Sequence, residues 1–207
     1  MRLPIVLSMS VVLASRVAFG TSVTFDEIID PTHGDGVSIT NNYQNLIWNN
    51  FAVVNAVVYT GLNGSNGYFN GMVSISNVAL NAYGAPAEID SFTNFNFFSV
   101  YLTGAFNSNL NIVVEGFRAG SMLYSQTVVA SATSPILFTF DYINIDRLTF
   151  SAFGGQPAGF PVAGGSGDSH FAMDNFTFEF VPEPSPLVLT AAGALLLWPL
   201  LKRKRAN

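Results

Sequence analysis

Cysteine is absent from the 207 residues. That excludes disulfides, thiolate metal sites and a cysteine nucleophile. Charge is also scarce: 10% of residues are Asp, Glu, Lys or Arg, against roughly 25% in an average soluble chain. Cations are scarcest. Between residues 21 and 181 there is no Lys, and Arg118 and Arg147 stand against twelve acids, a net charge of −10. Such a surface repels polyphosphate backbones, which argues against nucleic acid as a partner. There are two histidines, His33 and His170, and no GxSxG, HExxH or phosphate-cradling motif. No stretch from 21 to 181 keeps a 3.6-residue apolar period over three turns, which argues against a parallel sheet with crossover helices.

What the chain does contain is apolar. Hydrophobic residues make up 49%, with 19 Phe, 7 Tyr and 2 Trp. Disorder is excluded for most of the length, and one domain can bury a sizeable core. The two ends have a different character. Residues 1–20 carry Arg2, an apolar run from Leu3 to Ala14, and Ala18-Phe19-Gly20 as a small-x-small cleavage site. This is the layout of a secretory signal peptide. At the other end Val181-Pro182-Glu183-Pro184 opens a proline spacer. Leu187 to Leu201 follows without a charge, and Lys202, Arg203, Lys204 and Arg205 form a basic stop. The expected domains are therefore a signal peptide (1–20), a folded middle (21–181) and a tail (182–207). The tail contains a short transmembrane helix at 187–201 and the basic stop at 202–205.

The tail closely resembles the PEP-CTERM sorting signal of Gram-negative bacteria. The likeness rests on Val181 to Pro184, the short apolar segment and the basic cluster. It implies an exosortase as partner, transient contact with membrane lipid, and delivery to the cell surface or exopolysaccharide matrix.

The middle reads as all-β. Phe98, Val100 and Leu102 recur at every second position, as do Leu110, Ile112 and Val114, and Ile136, Phe138 and Phe140. Strands are expected at about 22–27, 46–54, 72–80, 88–92, 96–103, 110–117, 121–129, 136–142, 146–153 and 170–180. A hairpin connection is expected at residues 116–121. Without intervening helices, the expected architecture is an antiparallel two-sheet sandwich of jelly-roll type. Pieces such as Val23 to Glu27, Leu46 to Phe51, Gly71 to Asn81, Leu123 to Thr127 and His170 to Phe176 also resemble a module of other PEP-CTERM proteins. Its fold looks similar to galactose-binding-like, carbohydrate-binding sandwiches.

Three kinds of site follow from the residues. A bulge is expected at Asp174-Asn175, because inward positions switch from odd (Phe171, Met173) to even (Phe176, Phe178, Phe180). The first and last strands should lie together, which places Asp26 and Glu27 beside Asp174 and Asn175 as oxygen ligands for Ca²⁺. Aromatics near loops, Trp48 and Phe160 above all, with Tyr43, Tyr68 and Phe69, are candidates for stacking on sugars. Carboxylate pairs are the raw material of glycoside hydrolysis, but no catalytic residue stands out. The expectation is a non-catalytic cell-surface or extracellular-matrix protein associated with exopolysaccharide or envelope glycans. The alternatives are a secreted glycan-active enzyme and a purely structural biofilm component.

Overall fold

The computed structural model describes residues 20–32, 36–161 and 168–182. The signal peptide up to Phe19, His33, Glu183-Pro184, the apolar segment 187–201 and Lys202 to Arg205 lie outside the described residues. Among the described residues no helix is long and apolar enough to cross a membrane.

The strands are β1 (Thr21–Val23), β2 (Val37–Ser38), β3 (Ile47–Asn49), β4 (Phe51–Asn55), β5 (Asn77–Asn81), β6 (Ala87–Gly104), β7 (Asn107–Arg118), β8 (Ser121–Ala130), β9 (Ile136–Pro157) and β10 (Phe171–Phe180). Two helices, α1 (Ala56–Asn63) and α2 (Gly67–Asn70), lie between β4 and β5. Pairing is antiparallel in the order β2-β4-β5-β10-β6-β9-β7-β8, with β1 on β10 and β3 on β6.

This ladder forms a β-sandwich because β6 and β9 each serve both layers. Ala87 to Asp90 pair with Arg147 to Phe150, and Glu88 to Asp90 also pair with β3. Phe95 to Leu102 pair with Ile136 to Ile145, and the same half of β6 also pairs with β10. Register shifts between Asp90 and Ser99 mark where the two strands bend from one layer into the other. Aromatics fill the space between the layers. Phe51 meets Phe150 edge to face at 5.8 Å, and Phe97 stacks on Phe176 at 4.9 Å. Such contacts add to the area each ring buries.

Several expectations are met at the level of strands. β1 pairs with β10, Val23 opposite Phe176. A register shift falls between Asp174 and Thr177, and Asn175 takes φ 49°. The bulge thus brings Phe171, Met173, Phe176 and Phe178 into one core despite their change of parity. At the 116–121 hairpin Arg118 pairs with Ser121, across Ala119 (φ 49°) and Gly120 (φ 79°), a two-residue turn with both φ positive.

Other expectations are corrected. The 46–54 segment is two strands, because Asn50 sits at φ 57° and breaks the ladder. The segments 88–92 and 96–103 form one strand, as do 136–142 and 146–153. Residues 72–76 precede β5 rather than forming part of it. The helix α1 was not expected. It is eight residues long with only Ala56 fully buried, so it carries no apolar stripe of helical period. Its start is set by Asn55, whose side chain accepts from the Val58 N–H at 3.1 Å.

Candidate functional site: an aromatic-walled groove

Alternation along β4 sends Phe51 and Val53 into the core and Val54 to the opposite face. On β5, Ala79 points inward while Val78 and Leu80 share that outer face. The two helices roof one side of it. Asn66 fixes them from a fully buried position. Its oxygen accepts from the Phe69 N–H at 3.0 Å, and its amide donates to Thr60 Oγ1 at 2.8 Å and to the Gly64 carbonyl at 2.7 Å. Only glycine fits at 67, since a Cβ there would lie 1.8 Å from the Gly104 carbonyl oxygen.

Beside this roof runs a groove of about 470 Å³, within the roughly 300–1,000 Å³ of ligand pockets. Its apolar lining includes the small side chains Ala52 and Ala82 beside Leu80. One wall is a run of edge-to-face rings: Tyr59 on Tyr68 at 5.2 Å, Tyr68 on Phe106 at 5.5 Å, Phe106 on His170 at 6.0 Å. Tyr83 also lines the groove, 92% exposed on a single 3-10 turn at Ala82–Gly84. That turn is held by buried Asn81, which donates to the Ala85 and Ser169 carbonyls and accepts from the Phe171 N–H. Asn50 donates to the Ala82 and Pro86 carbonyls, and Ser169 Oγ donates to the Gly84 carbonyl at 2.6 Å.

The polar groups of this wall are arranged from behind. Asp168 Oδ1 lies 2.9 Å from His170 Nδ1 and accepts from the His170 backbone N–H at 2.9 Å. Burial pushes the Asp168 carboxyl up, but these His170 contacts outweigh it and hold it below the usual carboxylate value. Burial raises the Tyr68 phenol far above its ordinary range, with Tyr59 and Asp168 adding to the effect. Tyr59 is raised by burial and then by Asp168. Both phenols therefore keep their protons and remain donors. Tyr68 is 4% exposed, and among the described residues its hydroxyl has no hydrogen-bond partner.

The residues expected to share a cation have other partners. Asp26 Oδ1 accepts from the Asn77 N–H at 3.0 Å. Glu27 accepts from the Tyr43 hydroxyl at 2.7 Å and from Gln44. Asp174 is fully buried. Its Oδ2 accepts from the Val73 and Ser74 N–H groups at 2.7 and 2.8 Å, and its Oδ1 from the Asn175 N–H at 2.7 Å and the Ser74 hydroxyl at 3.0 Å. Four donors match the roughly four lone-pair sites of a carboxylate. Asp26 and Asp174 are thus brought to the two ends of one segment, 73–77, as clamps on its backbone. Asn175 Oδ1 is buried without a partner. Among the described residues no three His, Asp or Glu side chains gather as a metal cluster.

The expected sugar platforms also need correction. Trp48 is 4% exposed; Phe25, Phe51 and Phe176 pack edgewise around it, and its indole N–H donates to the Tyr43 carbonyl at 3.0 Å. It touches the base of the groove as a core residue and has no face free for stacking. Phe160 is half-buried just after β9 and does not line the groove. Of the sorting motif, Val181 donates its N–H to the Asn94 carbonyl at 2.8 Å, prolonging the β10 edge, with Pro182 after it. Tyr68 was visible in sequence as an aromatic near a loop. Tyr59, Tyr83, Phe106 and His170 were missed as a group, because they belong to four separate segments that only the fold assembles. The one local signal was Asp168 two residues before His170.

No family model matches the chain, and no curated protein matches it. Eleven chains of solved structures match. One is TmCBM61, solved in complex with β-1,4-galactotriose, at a TM-score of 0.37 and 10% identity over 67% of this chain and 90% of that one.

Proposed function

We propose that the chain is an exported, non-catalytic surface or matrix protein whose jelly-roll-like sandwich holds a glycan in the groove beside β4 and β5. The observation that carries the reading is the wall of aromatic rings Tyr59, Tyr68, Phe106 and His170 along the groove, on which the protonated Tyr68 hydroxyl has no protein partner among the described residues. A ligand hydroxyl would accept from it in place of water. The apolar lining and exposed Tyr83 suit the C–H faces of sugar rings, which stack on aromatics. The small number of polar groups among apolar ones is the usual composition of a ligand pocket.

The sequence supports the address. The signal-peptide layout at residues 1–20 and the tail at 181–205 fit export, transient anchoring in membrane lipid and handling by an exosortase, ending at the cell surface or in the exopolysaccharide matrix. A glycan array probed with the full chain tests the binding function. Retention of at least one glycan class is expected, and an array with no retained glycan overturns it. In an exosortase-bearing host, replacing Glu183 or deleting Lys202 to Arg205 should leave an uncleaved, membrane-retained protein. Release of both variants at normal size overturns the sorting reading.

A further inference from the structure

We infer that the groove takes a neutral glycan and turns away uronate-bearing or sulfated ones, with the Tyr68 hydroxyl and His170 Nε2 as its polar contacts. This rests on the glycan reading above and specifies its ligand class.

Charge is the first ground. The permanently charged cations among the described residues are Arg118 and Arg147, and neither lines the groove. Arg147 is engaged elsewhere, 3.0 Å from Asp90 and 3.7 Å from Glu88. Arg118 lines a separate hollow with Phe92, Val181 and Pro182. A sugar carboxylate or sulfate entering the groove would lose water with no cation to receive it, and would meet the field of Asp168 behind His170.

The hydrogen-bonding pattern is the second ground. His170 Nδ1 faces the Asp168 carboxylate at 2.9 Å, which assigns the ring proton to Nδ1 in the neutral imidazole. Nε2 is then an acceptor, and among the described residues it has no partner. Tyr68 offers a donor on the same aromatic wall. A donor and an acceptor together complement a hydroxyl, which both accepts and donates; an ionised carboxylate or sulfate only accepts. Rejection follows because a site built for a hydroxyl leaves its own groups unpaired when another group enters.

The test is affinity electrophoresis of the full chain through gels holding equal concentrations of neutral polysaccharides (galactan, glucan, mannan) or of uronates (alginate, polygalacturonate). Retardation by at least one neutral polymer and by neither uronate is expected. Tyr68→Phe removes a hydroxyl without a protein partner, so folding is kept while retardation weakens roughly 3- to 10-fold, the loss of one neutral hydrogen bond. His170→Ala is the second probe, and it should weaken retardation similarly. Retardation by uronates in preference to neutral polymers overturns the neutral class and leaves glycan binding standing. Neutral retardation unchanged in both variants overturns the assignment of Tyr68 and His170. Retardation by no polymer overturns the glycan reading itself.

Discussion

Ser74 donates to Asp174 twice, from its N–H to Oδ2 at 2.8 Å and from its hydroxyl to Oδ1 at 3.0 Å. The bond joins the last strand to the segment that leads into β5, a hundred residues earlier in the chain. Burial pushes the Asp174 carboxyl up, and the four donors around it work in the opposite direction. The result is a clamp made from a charged group that the fold cannot replace with an isostere.

Replacing Asp174 with Asn puts an NH₂ group where an oxygen accepts. At least one buried N–H then loses its acceptor, at a cost of about 1–3 kcal/mol. Urea denaturation should show a lower midpoint with an unchanged slope. An Asp174→Asn variant as stable as the parent would remove the clamp from the account.

The same geometry bears on metal. Protein donors occupy the Asp174 oxygens, so melting in millimolar calcium and in chelator should coincide. A ligand at about 100 times its Kd would stabilise by about 2.7 kcal/mol, so a calcium-dependent rise of several degrees would show that Asp26 and Asp174 regroup around a cation.

Asp168 gives a pH signature of defined sign. Its carboxyl is held below the ordinary 3.8 in the folded chain. The stability it contributes is therefore full above the unfolded value and drains away as pH falls through the lower, native one. Acid unfolding followed below pH 4 should be less steep in Asp168→Asn than in the parent. Identical acid limbs would mean that the Asp168–His170 contact contributes nothing to stability.

Most of the fold was legible because its signals are local. Val100 and Leu102, or Leu110 and Ile112, show the alternation of a half-buried strand, and the parity change around Asp174 announced the bulge. What escaped depends on distant partners. Nothing near residues 88–103 says that one strand crosses both layers. Trp48 in sequence is equally a sugar platform or a core ring, and only the positions of Phe25, Phe51 and Phe176 decide it. The groove was the least legible part, since Tyr59 and Tyr83 belong to a short helix and a tight turn without periodicity.

Trp48 separates core from site by mutation. Trp48→Ala should cost about 3–5 kcal/mol as a large core truncation. The milder Trp48→Phe should stay folded and keep glycan retention. Selective loss of retention in a stable Trp48→Phe chain would return Trp48 to the binding surface.

The central claim is that the groove between the aromatic wall and Tyr83 binds sugar. Its most direct measurement is isothermal titration of the best glycan from the array into the parent and into Tyr83→Asn. Asn tolerates the left-handed backbone at this position, where φ is 59°, and Tyr83 is 92% exposed, so the fold is kept while the stacking ring is lost. A stacking contact of about 0.5–1.5 kcal/mol corresponds to roughly 2- to 13-fold in affinity. Weakening in that range with unchanged melting is the expected result; equal affinity in the two proteins would contradict the placement of the ligand in this groove.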